Sequence, residues 1–229
     1  MTRILYGLCG RDAARPFSPH VWKTMMAMGH KGLDYRLAAV PFTAIPKIEQ
    51  GETRTVPYLV DGDTRVVDSF AIAAYLDQAY PDRPTLFGGP QAQAQARLIE
   101  SWSQMTVHPA IVRMAILKIH DLLDQEDQAY FRASREKAFG RSLEEVAADG
   151  EAERAAFAGR LDPLRRTLGY QPFIGGESPL FADYIVFGAL QWLRIATGSV
   201  ALAADDPVLA WFERCLDLHD GLGHSVAAA

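Results

Sequence analysis

Every strand signal in this 229-residue chain falls before Pro81, and beyond Gly88-Gly89-Pro90 apolar residues recur only at helical spacing. Such a change of rhythm confines any sheet to the first third. Ile4-Leu5-Tyr6 reads as a short strand, and Val21, Trp22, Met25, Met26 and Met28 mark a helix running to Gly29. Tyr35–Val40 reads as a second strand. Tyr58-Leu59-Val60, the turn Asp61-Gly62-Asp63 and Arg65-Val66-Val67 predict a hairpin. Ser69 opens a helix carrying Ile72, Tyr75, Leu76 and Ala79, stopped by Pro81. The order β-α-β, then β-β-α, predicts a mixed four-stranded sheet with helices packed on it.

Pro81-Asp82-Arg83-Pro84 and Gly88-Gly89-Pro90 read as a linker between an α/β unit, residues 1–84, and an all-helical unit, residues 90–229. Five helical patterns follow: Gln91–Leu123, bent near Pro109, then Asp127–Ala148, Ala152–Leu168, Ala182–Thr197 and Pro207–Leu218. The first 84 residues hold ten Lys and Arg against nine Asp and Glu, the rest thirteen against nineteen. Neither part carries a basic block, which argues against a nucleic-acid partner. Cys9 and Cys215 stand far apart and suggest no disulfide framework, as in a reducing compartment. Met1–Phe17 shows no signal-peptide core, and the longest apolar run, near Tyr184–Leu190, is too short for a bilayer. The expectation is a soluble cytoplasmic protein with no membrane partner.

Three local features carry chemistry. In Phe17-Ser18-Pro19-His20-Val21-Trp22, serine is a favoured N-cap and proline suits the first helical position, so Ser18 is read either as a cap alone or as a donor to a bound thiolate. A thiol of pKa ~8.5 is about 3% ionised at pH 7. Lowering that pKa by roughly two units makes it about 75% ionised, for about 2.7 kcal/mol. In Thr55-Val56-Pro57-Tyr58, Pro57 either leads an edge strand in trans or, in cis, turns the Val56 backbone outward toward a peptide-like ligand. In Asp68-Ser69, Ser69 reads as the helix N-cap with Asp68 beside the positive end of the dipole. Alternatively the Ser69 hydroxyl and helix amides bind a carboxylate while Asp68 accepts from an ammonium, as an α-amino acid head group would require.

Taken in order, these features resemble the glutathione transferases over nearly the whole chain, including the Pro-rich linker and Phe181-Ala182-Asp183. Phe17–Tyr35, Asp68–Asp77 and Asp217–Gly223 look most like the bacterial lignin β-aryl-etherase branch. The resemblance implies a thioredoxin-like N-terminal domain, an all-α C-terminal domain, glutathione as co-substrate and a homodimer. It makes Ser18 the thiol-activating residue, sets Val56 before a cis Pro57 against the cysteinyl backbone, and gives the γ-glutamyl end to Asp68 and Ser69. Lys47 or Arg54 meets the glycyl carboxylate. Two departures stand out. Leu180 occupies the position where the family often has a capping Ser or Thr, which puts the folding role of Asp183 in doubt and leaves Ser178 as a cap in altered register. The Gly7–Phe17 loop is long and rich in Arg and Ala, and is expected to move.

For the second pocket, the resemblance points to Phe17, Trp22, Trp102, Met105, His108 and Arg113 as an aromatic, adaptable wall around a small hydrophobic or aromatic electrophile. Plain core packing is the alternative for Trp102 and Met105, a structural role for His108 as against a general acid, and solvent for Arg113. No metal-ligand spacing and no Gly-rich phosphate loop is present. The expected reaction is attack by glutathione thiolate on the electrophile, with aryl ether cleavage as a special case. Two alternatives stand beside it: a thiol–disulfide reductase using Cys9, and a non-catalytic glutathione-binding module.

Overall fold

The computed structural model describes residues 3–229; Met1 and Thr2, the start of the segment read above for a signal peptide, lie outside the described residues. The first third forms β1 (Arg3–Leu8), α1 (Pro19–His30), β2 (Tyr35–Val40), a 3-10 segment (Phe42–Gly51), β3 (Tyr58–Asp61), β4 (Thr64–Val67) and α2 (Ser69–Ala79). The strands lie in the order β2-β1-β3-β4. β1 pairs parallel with β2, from Arg3 opposite Tyr35 to Leu8 opposite Val40, and antiparallel with β3, which pairs antiparallel with β4. This is the mixed four-stranded sheet of a thioredoxin-like domain. The strands expected from alternation are all present, because each buries one apolar face on α1 and α2.

The second unit is helical: α3 (Pro90–Trp102), α4 (His108–Asp121), α5 (Gln125–Phe139), α6 (Leu143–Ala147), α7 (Gly150–Arg160), α8 (Asp162–Thr167), α9 (Phe181–Thr197) and α10 (Pro207–Gly221). Three of the expected helices are divided. The Gln91–Leu123 pattern contains a π turn at Ser103–Val107, where the His108 N–H reaches back to the Ser103 carbonyl. Pro109 follows at once; it has no N–H, and its ring would crowd the Met105 carbonyl in a regular helix. Asp127–Ala148 breaks at Gly140 (φ +66°), after which the Ser142–Glu145 capping box restarts the chain as α6. Ala152–Leu168 breaks at Leu161, just before Pro163. In α10 the regular helix stops at Leu218, since His219 and Asp220 are left-handed (φ +55° and +59°). The Tyr184 hydroxyl bridges the rings of His30 (2.6 Å) and His219 (3.0 Å), tying this tail to α1.

The two units share one core. α1 packs chiefly on α9, with Trp22 edge-on to Phe187 at 6.1 Å. Gly188 permits that approach, because a Cβ there would lie 2.5 Å from the Pro19 carbonyl oxygen. The start of α1 is thereby pressed against the middle of α9. The linker is pinned: Asp77 accepts from the Leu86 N–H (2.8 Å), the Thr85 hydroxyl (2.9 Å) and Lys31 (2.6 Å). Phe70, Phe87 and Phe181 close the same seam. Lys23 and Glu100 form a buried ion pair across it at 3.1 Å.

The doubt over Asp183 is removed. Leu180 is the N-cap and makes no side-chain cap bond, and Ser178 does not replace it. The Asp183 carboxylate instead accepts from four donors: the Leu180 (3.0 Å), Ile174 (2.7 Å) and Gly175 (2.9 Å) N–H groups and Trp211 Nε1 (3.0 Å). The Gly7–Phe17 loop is likewise tethered, with the Arg11 N–H donating to the Leu122 carbonyl (2.9 Å) and Arg15 to the Ile195 carbonyl (2.8 Å). Among the described residues no helix is long and apolar enough to cross a membrane.

Candidate functional site

The β1–α1 loop ends with Trp22 Nε1 donating to the Pro16 carbonyl at 2.9 Å, which fixes Ser18 at the start of α1. Ser18 is extended (φ −63°, ψ 128°), and Pro19 takes the first helical position. The Ser18 Oγ accepts the Val21 N–H at a long 3.5 Å. A hydroxyl that accepts in this way still has its own proton to donate. Ser18 is only 5% exposed and lines a cavity of about 400 Å³, so a partner for that proton comes from a ligand held there.

The Val56–Pro57 peptide is cis. Thr53 holds the preceding turn, its hydroxyl donating to the Thr55 carbonyl (2.7 Å) and accepting the Thr55 N–H (3.1 Å). Val56, Thr55 and Arg54 line the cavity; Pro57 is buried behind them, and Lys47 is exposed on the 3-10 segment outside the cavity wall.

At α2 the expected capping roles are exchanged. Asp68, not Ser69, is the N-cap, and its Oδ1 accepts the Phe70 (3.0 Å) and Ala71 (2.9 Å) N–H groups. It does so at φ +79°, a left-handed value that a non-glycine residue rarely adopts. Its Oδ2 is left over. The Ser69 hydroxyl, 1% exposed, has no hydrogen-bond partner among the described residues.

Of the residues expected in the second pocket, Phe17 and His108 line the cavity with Ser18. Trp22 does not: it is wholly buried in the seam between the units. Trp102 lines a separate hollow with Leu98 and Pro163. Met105 is 81% exposed, and Arg113 pairs with Glu153 on α7 at 3.4 Å. The π turn accounts for Trp102 and Met105, because one extra residue in a turn rotates everything beyond it by about 100°. His108 faces His20 at 5.5 Å between ring centres, and burial holds both pKa values down to about 3. At pH 7 His108 is neutral and carries no imidazolium proton for a leaving phenolate.

Spacing did not reveal Phe42, Tyr130, Phe131, Arg135 and Trp192, all of which line the cavity from separate elements. Their one local signal is Asp127, whose carboxylate accepts the Phe42 (2.5 Å) and Thr43 (2.9 Å) N–H groups and so draws the 3-10 segment onto α5. Cys9 is buried, does not line the cavity, and has its pKa raised to about 11 by burial and by nearby Asp127, Asp124 and Asp12. Among the described residues no three His, Cys, Asp or Glu side chains gather as a metal site would require.

Residues 14–84 match the family model described as glutathione S-transferase, N-terminal domain, and residues 94–218 the one described as glutathione S-transferase, C-terminal domain. The glutathione S-transferase-like protein ustS of Aspergillus flavus is 26% identical over 209 residues, which cover 78% of this chain and 75% of that one. Glutathione S-transferase omega-1 of Mus musculus is 25% identical over 199 residues, 85% of this chain and 71% of that one. Glutathione transferase GSTFuA3 of Phanerochaete chrysosporium matches with a TM-score of 0.76 at 27% identity, over 96% of this chain and 92% of that one. CsGST63524 of Ceriporiopsis subvermispora, crystallised with glutathione, shares the fold over 100% of both chains at a TM-score of 0.80 and 21% identity. With both of its units matched in chain order, the protein belongs to the glutathione S-transferase family.

Proposed function

We propose that the chain is a glutathione transferase in which the Ser18 hydroxyl stabilises the thiolate of bound glutathione. The observation that carries this is the hydroxyl's geometry: buried at the amino end of α1, lining the cavity, with its oxygen engaged by the Val21 N–H and its proton uncommitted. A charge-assisted hydrogen bond and a helix terminus together supply stabilisation of the order required, about 2–3 kcal/mol. The sulfur attacks an apolar, aromatic electrophile, a carbon–sulfur bond forms, and the leaving group departs with its electron pair while the thiol proton passes to solvent.

Glutathione is the co-substrate that fits this family and the site. The free Asp68 Oδ2 suits an ammonium, and the unpartnered Ser69 hydroxyl suits the adjoining carboxylate. Val56 at the cis bond offers its backbone to the cysteinyl unit, and Arg54, which lines the cavity as Lys47 does not, is the better placed cation for the glycyl carboxylate. Aryl ether cleavage is a finer reading supported by the sequence resemblance. A homodimer is part of the proposal, supported by exposed Leu98 (71%) and Met105 (81%) on one run of helix. So is a cytoplasmic location, which two free cysteines favour.

The test is calorimetric binding of glutathione, followed by turnover of chlorodinitrobenzene. Absence of uptake at millimolar glutathione contradicts the proposal. Loss of turnover in Cys9→Ser with Ser18→Ala fully active would replace it with the reductase; the raised thiol pKa predicts the opposite.

A further inference from the structure

The cavity wall contains two guanidinium groups, Arg54 and Arg135, and no carboxylate. Arg54 adjoins the cis-proline turn of the first unit, whereas Arg135 stands across the cavity on α5. Its Cζ lies 5.1 Å from the Phe131 ring centre and 5.9 Å from that of Phe42. Those two rings are 5.8 Å apart, held together by the Asp127 grip on the Phe42 backbone. One turn earlier, Arg132 pairs with Glu136 and Glu144, each at 2.9 Å. Arg135 has no such partner among the described residues; its one hydrogen bond is to the Ser134 hydroxyl at 3.4 Å. Burial pulls its pKa below the ordinary guanidinium value, the mark of a cation taken partly out of water without a counter-charge. Such a charge is costly, and an anion arriving in the cavity relieves it.

We propose that Arg135 binds a carboxylate carried by the electrophile, and that Phe42 and Phe131 hold the aryl ring bearing it, so that the second substrate is an aromatic acid. This rests on the transferase reading above. A planar guanidinium matches a carboxylate in a two-bond fork, and flanking rings favour an aryl group over an alkyl one. The same chemistry is present in the glycyl carboxylate of glutathione; Arg54, next to the peptide-binding turn, takes that end, which leaves Arg135 for the second substrate.

The test uses para-chloro-meta-nitrobenzoate and its methyl ester, with each rate divided by the uncatalysed rate with free glutathione. In both, the sulfur bonds to the ring carbon, chloride leaves with the bonding pair, and the thiol proton goes to buffer. The wild type is expected to favour the benzoate. Arg135→Gln is expected to lower kcat/KM for the benzoate by about 10- to 100-fold while leaving the ester and the glutathione Kd unchanged. Arg135→Lys is expected to restore part of the loss, and it decides the matter if the glutamine variant does not fold. Equal loss on both substrates, or a weakened glutathione Kd, overturns the assignment. Ester turnover by the wild type with no carboxylate preference overturns this inference alone; no turnover of either substrate, without glutathione binding, overturns the transferase reading with it.

Discussion

Asp68 caps α2 with one carboxylate oxygen, and its neighbour Ser69 is left with a buried hydroxyl that bonds to nothing among the described residues. The division of labour separates stability from binding at adjacent positions. Ser69→Ala is expected to weaken glutathione by about tenfold or more, the value of a hydrogen bond to a charged group, with the melting temperature unchanged. Asp68→Ala is expected to weaken glutathione and also to cost about 1 kcal/mol of stability through the lost cap. Calorimetry and thermal denaturation of the two variants side by side check this; a destabilised Ser69→Ala with normal affinity contradicts it.

Asp183 gathers four donors from three stretches of chain, so its replacement strands them together. Asp183→Asn keeps the volume but turns an amide N–H₂ toward groups that are all donors. An expected loss of about 3 kcal/mol is read from urea denaturation. A loss below about 1 kcal/mol would mean that water reaches these groups in the native protein.

Three buried histidines make the fold acid-labile. Burial holds His20 and His108 at about 3 and His219 at about 4. In the unfolded chain each titrates near 6.5, so below that pH unfolding takes up protons that the native state refuses. Their contribution is intact above pH 6.5 and is lost as the pH falls toward 4. Each histidine adds a slope of about 1.4 kcal/mol per pH unit. His108→Gln is therefore expected to flatten the stability profile between pH 6 and 4 by about that amount, measured by denaturant titration at several pH values. An unchanged slope contradicts a neutral His108.

What the sequence made legible is what the chain specifies over a few residues. A serine before a proline announces a cap, alternation around Asp61-Gly62-Asp63 announces a hairpin, and the order of these signals announces the four-stranded sheet. Spacing also shows which residues share a helix face, but not what that face meets. Trp102 and Met105 were displaced by a single-residue π turn, and Trp22 was taken by the seam with Phe187. The residues that complete the cavity, Phe42, Phe131, Arg135 and Trp192, come from three separate segments and meet only through packing. For Asp183, the missing capping residue was a local sign, whereas the four donors that replaced it are tertiary.

The central claim is that the hydroxyl of Ser18 holds the co-substrate sulfur as its anion. Thiolate absorbance of the glutathione complex, titrated against pH, reads this directly. The wild-type complex is expected to ionise roughly two units below the free thiol, and Ser18→Ala to return most of that shift while still binding glutathione. Identical titrations of the two complexes would contradict the account.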